Sequence, residues 1–187
     1  MIEINKRLGI IITAGEDNYL FIRKLYDFEL LTPIKIKSKY IITMAKVSPM
    51  NFLYIMCFNK KKSKKKSIIL GYTLNGLYFA KSKYNYYDTL DFTRLGNIVT
   101  LVNRKEIEIL SGDRLKNILI NVDNKYTEIK EIQNEINGAS WITFNYFTRN
   151  NENESSIIKV ITFSTIDKKK GENFIKTYDV TKIKFFE

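Results

Sequence analysis

Residues 9–33 read GIIITAGEDNYLFIRKLYDFELLTP, and this stretch decides the fold. An apolar run over 9–14 stops at Gly15-Glu16-Asp17-Asn18, where Gly and Asn tolerate positive φ and Asp bonds its own backbone. A second run over 19–25 turns at Tyr26-Asp27 into a third over 29–34, so the segment reads strand, turn, strand, turn, strand. Pro33 has no amide hydrogen to donate and should end the third strand or sit on its edge.

Working outward, the same rhythm continues. Strands are expected at 40–47, 51–58, 67–73 and 76–81. Asn75-Gly76 should form a two-residue hairpin turn. The almost unbroken apolar run FLYIMCF in 51–58 suits a strand buried on both faces. A third unit is expected at 88–93, 97–103, 106–110 and 116–122, with turns at 94–96, 104–105 and 111–113. A fourth takes 140–147, 157–163, 174–178 and 182–186, with a long lysine-rich loop over 164–173 and a polar loop over 148–155. In the fourth unit, Trp141, the only tryptophan, falls on a strand face suited to packing between sheets.

The turns at Asp27, Asn75, Asp113 and Asp179 are 48, 38 and 66 residues apart. Propeller blades of the WD type take ~40–45 residues, so the last gap implies an insertion. That insertion is expected at 124–138, where Ile129, Ile132 and Ile136 recur at helical spacing and point to a short surface helix. The fold class is therefore all-β: a partial WD-repeat-type β-propeller of about three to four four-stranded antiparallel blades. The blades are expected at 6–37, 38–84, 85–123 and 139–187, the first entering at its second strand.

Composition limits the chemistry. The 187 residues hold 31 Lys and Arg against 20 Asp and Glu, no histidine and one cysteine, for a net charge of +11. Without histidine there is no Ser–His nucleophile and no Cys/His zinc site, and a lone Cys forms no internal disulfide. Cys57, inside an apolar run, reads as a small buried side chain. No stretch of about 18 apolar residues offers a membrane-spanning helix. The turn residues Asp17, Asp27, Asn75, Asp113 and Asp179 read as structural, since a catalytic carboxylate pair needs a shared cleft.

Lys60, Lys61, Lys62, Lys64, Lys65 and Lys66 crowd one connection between two strands. Six like charges keep that loop solvated, and they form the candidate contact for an anionic surface, at about 1 kcal/mol per lysine near acidic lipid. Lys168, Lys169 and Lys170 form a second basic run. Single-stranded RNA readers interleave aromatics with their basic residues, and in this sequence the two are apart, which disfavours nucleic acid.

A resemblance adds to this reading. ITAGEDNYLFIRKLYDFELL at 12–31 resembles a blade motif of the WD-repeat region that follows the BEACH domain in large vesicle-trafficking scaffolds. YIITMAKVSPMNFLYIMCF at 40–58 and SIILGYTLNGLYFAK at 67–81 continue it, with TLNG at 73–76 similar to a blade turn of those proteins. GNIVTLVNRKEIEILSGDRLKNI at 96–118 looks like the next blade, and GENFIKTYDV at 171–180 is the last blade-like stretch. The Gly-His dipeptide is absent, and Tyr26-Asp27 and Tyr178-Asp179 stand where such repeats carry Trp-Asp, so their His-centred hydrogen-bond tetrad cannot form. The resemblance implies a C-terminal fragment of such a protein, acting as a non-catalytic scaffold without cofactor. It further implies protein partners and a cytoplasmic location, peripheral to membranes through the lysine loop. A basic β-domain for RNA or anionic lipid is the alternative.

Overall fold

The computed structural model describes residues 1–60, 66–118, 139, 142–151, 154–166 and 172–180. Every regular element in them is a β-strand, and the strands group in chain order into four antiparallel meanders. The first sheet is β1 (Ile2–Asn5), β2 (Ile10–Ala14), β3 (Tyr19–Lys24) and β4 (Leu30–Lys35). The second is β5 (Tyr40–Val47), β6 (Phe52–Asn59), β7 (Ser67–Thr73) and β8 (Tyr78–Lys81). The third holds β9 (Asp91–Phe92), β10 (Ile98–Val102) and β11 (Glu106–Leu110), and the fourth β12 (Ile142–Asn151), β13 (Glu154–Ile166) and β14 (Asn173–Asp179).

Period-two alternation stacks the sheets face to face. On β6, Leu53, Ile55 and Cys57 point at the first sheet and join Ile12, Leu20 and Ile22 in one buried cluster. Tyr54 and Met56, on the other face, join Phe92, Ile98 and Leu110 of the third sheet. On β10, Val99 and Leu101 turn the opposite way, to Ile142, Ile161 and Phe163 of the fourth. Strands β6 and β10 are thus covered on both faces, as the apolar run in 51–58 requires. The chain is a partial β-propeller.

Several details differ from expectation. The first sheet begins with its own outer strand: β1 pairs with β2, Ile4 opposite Ile11. Four residues of IEIN were enough, because Ile2 and Ile4 need only an edge partner and stay exposed. Of the polar stretch 148–155, residues 148–151 and 154–155 form the arms of a long hairpin, Thr148 opposite Ile157 and Asn151 opposite Glu154. Cross-strand pairing satisfies its backbone there despite the loop-like composition. The strand expected at 88–93 shrinks to Asp91–Phe92, because side chains replace the ladder: Leu101 N donates to Thr89 Oγ1 at 3.0 Å and Thr100 Oγ1 to Thr89 O at 2.6 Å. Asn103 and Arg104, both at positive φ, form the centre of the β10–β11 turn, one residue earlier than expected. Of the strand expected at 116–122, Asn117 bridges Leu110 and Ile118 N donates to Ile109 O at 2.9 Å, and residues 119–122 lie outside the described residues. So do the helix expected at 124–138, Trp141, Lys168 to Lys170 and the strand expected at 182–186.

Asn75-Gly76 closes its hairpin by a five-residue rule that recurs. In Thr73-Leu74-Asn75-Gly76-Leu77, Gly76 (φ +86°) donates to Thr73 O at 3.0 Å, Thr73 N to Leu77 O at 2.9 Å, and Leu77 N to Thr73 Oγ1 at 3.0 Å. That is a three-residue loop with a left-handed fourth position, not a two-residue turn. Ser48 to Phe52 and Thr93 to Asn97 repeat it, with Asn51 (φ 64°) and Gly96 (φ +82°) at the left-handed position. The three turns lie at one end of the stack, where Arg7 of the first sheet also reaches Pro49 O and Asn51 Oδ1. The connections 36–39 and 82–90, together with Lys60 and Lys66, lie at the other.

Candidate functional sites at the two ends of the stack

At the turn end a cleft of about 510 Å³ opens between the second and third sheets, lined by Met50, Phe52, Tyr54, Phe79, Leu95 and Asp113, among others. Its floor is tightly built. Tyr54 Oη donates to Gly112 O at 2.7 Å, and Gly112 N donates to Asn97 Oδ1 at 3.3 Å. A Cβ on Gly112 would sit 2.6 Å from Gly96 O, so only glycine allows the two turns to touch. Phe79 packs on Phe52 and Tyr54 with ring centroids 5.1 and 6.1 Å apart, and Tyr54 on Phe92 at 5.4 Å. Above this floor Met50 (56% exposed) and Leu95 (61%) stand open. Burial, then the Asp113 carboxylate, pushes the Tyr54 hydroxyl up to about 12. Asp113 is the one charged residue of the lining and pairs with Arg114 at 3.2 Å.

A second cleft, of about 1030 Å³, runs from the crossover end to the turn after β11 and has the opposite chemistry. Lys39, Lys81, Lys83, Arg114 and Lys116 line it with Tyr40, Tyr84, Tyr87, Asn85 and Asn117, and Glu108 is its single carboxylate. Two buried serines fix its wall. Ile69 N donates to Ser82 Oγ at 2.9 Å, and the Ser67 hydroxyl reaches Asn85 O at 3.1 Å and Tyr87 O at 3.0 Å. Pinning Ser82 inward leaves Lys81 and Lys83 outward, by strand-like alternation. The Tyr40 and Tyr84 hydroxyls lie 2.8 Å apart, and burial first, then Tyr84, raises the Tyr40 hydroxyl far above its usual range. Asn85 Nδ2 donates to Glu108 Oε1 at 2.8 Å; burial, then the Glu106 carboxylate, raises the Glu108 carboxyl above its ordinary value.

The residues singled out in the sequence fall as follows. Asp17 and Asp27 cap their turns, accepting from Tyr19 N at 3.1 Å and Glu29 N at 3.0 Å. Asn75 is the third residue of its turn, and Thr73 Oγ1 bonds its Oδ1. Asp179, expected in a turn, is the last residue of β14, opposite Val160. Asp27, Asn75 and Asp113 follow the third strands of successive sheets, Asp17 lies between β2 and β3, and Asp179 ends β14. Lys60 and Lys66 flank the lysine loop at the crossover end, and Lys61, Lys62, Lys64 and Lys65 lie outside the described residues. Lys60 N donates to Lys39 O at 2.9 Å, and Lys66 Nζ lies 5.6 Å from the Tyr86 ring centroid. An aromatic therefore does adjoin the basic run, brought there from 20 residues away in sequence. Cys57 is fully buried, and burial pushes its thiol up to about 12. Among the described residues no three His, Cys, Asp or Glu side chains gather as a metal site.

Sequence reasoning missed both clefts. Lys39, Lys81, Lys83 and Lys116 are scattered singly along the chain. The turns had a readable signal in SPMNF, TLNGL and TRLGN, a Ser or Thr three residues before Asn or Gly.

No family model and no curated protein matches the chain. Solved structures do resemble it. KlHsv2 with loop 6CD replaced by a Gly-Ser linker aligns with a TM-score of 0.52 and 6% identity, over 95% of this chain and 56% of that one. Regucalcin, a calcium-binding protein of Agrobacterium tumefaciens, aligns with a TM-score of 0.51 and 12% identity, over 95% and 58%. The β-propeller domain of Cps50 (Swd1) from Myceliophteria thermophila gives 0.35 and 9%, over 95% and 69%. The likeness is one of fold. The chain spans less than two thirds of the first two chains' length.

Proposed function

We propose that this chain is a non-catalytic interaction scaffold that binds a protein partner through the turn-end cleft. The observation that carries the reading is the cleft's chemistry: exposed Met50 and Leu95 above a rigid floor of Phe52, Tyr54 and Phe79. Aromatic and methionine-lined hollows with one placed charge suit an apolar anchor on a partner. Asp113 at the rim favours an anchor followed by a basic residue. The finer assignment, a WD-type propeller region of a cytoplasmic BEACH-like trafficking protein, rests on the resemblance at 12–31, 40–58 and 67–81.

The test is selection of displayed peptides on the purified chain, followed by binding to a Leu95→Asp and Met50→Asp double variant. Selected peptides should carry an aromatic or aliphatic anchor and lose at least about tenfold in affinity, the scale of one lost hot spot. Hydrolase or transferase turnover above background, abolished by Asp113→Asn or Glu108→Gln, would overturn the scaffold reading. A second reading, contact of the lysine loop with an anionic surface, is favoured by the anchoring of Lys60 and Lys66 at the crossover end. Replacing the six loop lysines by serine should then abolish salt-dependent binding to anionic liposomes, with RNA as the parallel probe.

A further inference from the structure

We propose that the crossover-end cleft is a binding site for a phosphate-bearing ligand with more than one negative charge. Five cations reach it from three separate segments: Lys39 from the connection before β5, Lys81 and Lys83 from the end of β8, and Arg114 and Lys116 from the turn after β11. Among the described residues only Arg114 of the five has a carboxylate within ion-pair distance, its neighbour Asp113. The other four line one hollow and repel one another there, with Glu108 as the one carboxylate among its described lining residues. An anion entering the hollow relieves that repulsion.

The set also discriminates between anions. Four of the five cations are lysines, compact point charges that can meet a tetrahedral group from several sides. A lone carboxylate is better served by a planar arginine fork. The cleft volume, about 1030 Å³, is ample for a ligand with several phosphoryl groups. Its wall is held by Ser67 and Ser82, so the lysines project from a fixed frame. Glu108 stands against the anion at one point, which sets a test with the opposite sign.

The full chain is titrated calorimetrically with inorganic tripolyphosphate at low and physiological salt. In parallel it is floated with phosphatidylcholine vesicles with and without phosphatidic acid. Binding to either probe, weakened at least about tenfold by Lys39→Ser, Lys81→Ser and Lys83→Ser together, supports the site, and the arm that responds names the source of the phosphate. Glu108→Gln keeps an acceptor for Asn85 and removes the opposing charge, so it should tighten binding about threefold. Removing three charges at the turn end, Lys6→Ser, Lys24→Ser and Arg94→Ser, should change affinity by less than about twofold. If the triple lysine variant fails to fold, Lys83→Glu alone carries the same expectation. No binding by the unaltered chain, an equal loss in the turn-end control, or equally tight binding of hexaglutamate would overturn the proposal.

Discussion

The two ends of the stack are made from the same strands but do different work. At the turn end, side chains and backbone lock together: Tyr54 on Gly112, Gly112 on Gly96 and Asn97, Thr93 on Asn97. At the crossover end the wall is equally fixed by Ser67 and Ser82, yet the lysines that line the hollow project outward and hold nothing together. Stability and recognition are therefore mixed at one end and separable at the other. Substitutions should reveal this as a gradient, steep at Gly112 and flat at the lysines.

The largest effect is expected at Gly112→Val. Its Cβ would lie 2.6 Å from a backbone carbonyl that cannot swing aside, so the second and third sheets must part locally. Overpacking of this kind costs about 3 kcal/mol, read as a lower urea midpoint at unchanged slope. A midpoint within error of the parent would mean the two turns do not bear on each other.

Next comes alkaline titration, which touches both ends. Burial first, then Asp113, pushes Tyr54 up to about 12; burial first, then Glu108 against an opposing Ser82 bond, does the same to Tyr87. Both hydroxyls have raised folded values, so their contribution is complete below the ordinary value of 10.0 and is lost as pH rises through about 12. Stability should fall steadily from pH 10 to 12, because the unfolded chain ionises first. Tyr54→Phe should flatten that slope while lowering neutral stability by about 1.5 kcal/mol, since Gly112 O loses its donor. Denaturant melts across that pH range check both halves.

How far the sequence reveals this follows from where the information sits. Alternation and turn residues are local, so β2 to β7 are readable in 9–73, and FLYIMCF announces a two-sided strand. What depended on a partner was not: IEIN becomes β1 only because Ile11 lies opposite Ile4, and the polar arms near 148–155 pair only because each supplies the other's hydrogen bonds. Neither cleft was visible. Lys39, Lys83 and Lys116 come to one cleft across folded connections, and of the conspicuous lysine run Lys60 is bonded to Lys39.

Smaller effects are expected in the repeated turns, graded by burial. Thr93 and Ser48 are buried and Thr73 is half-buried, although each hydroxyl oxygen accepts the same amide. Alanine should cost about 1 kcal/mol at Thr93 and Ser48, and about half that at Thr73, where water can take the amide. Equal losses in thermal or urea melts at all three would show that the turn itself, not the cleft floor above it, sets the cost.

The smallest effect is expected from Lys39→Ser, Lys81→Ser and Lys83→Ser together. All three are exposed, and no ion pair of the described residues includes them. Removing like charges around one hollow relieves repulsion and sacrifices some packing of the lysine stems, and these terms oppose each other. Stability should stay within about 0.5 kcal/mol of the parent, as for surface positions in general, and rise slightly at low salt where repulsion is least screened. A loss of several kcal/mol would make these lysines structural and erase the contrast between the ends. A neutral result beside a steep loss at Gly112 would leave the crossover end as the place where this propeller can vary its charge without unfolding.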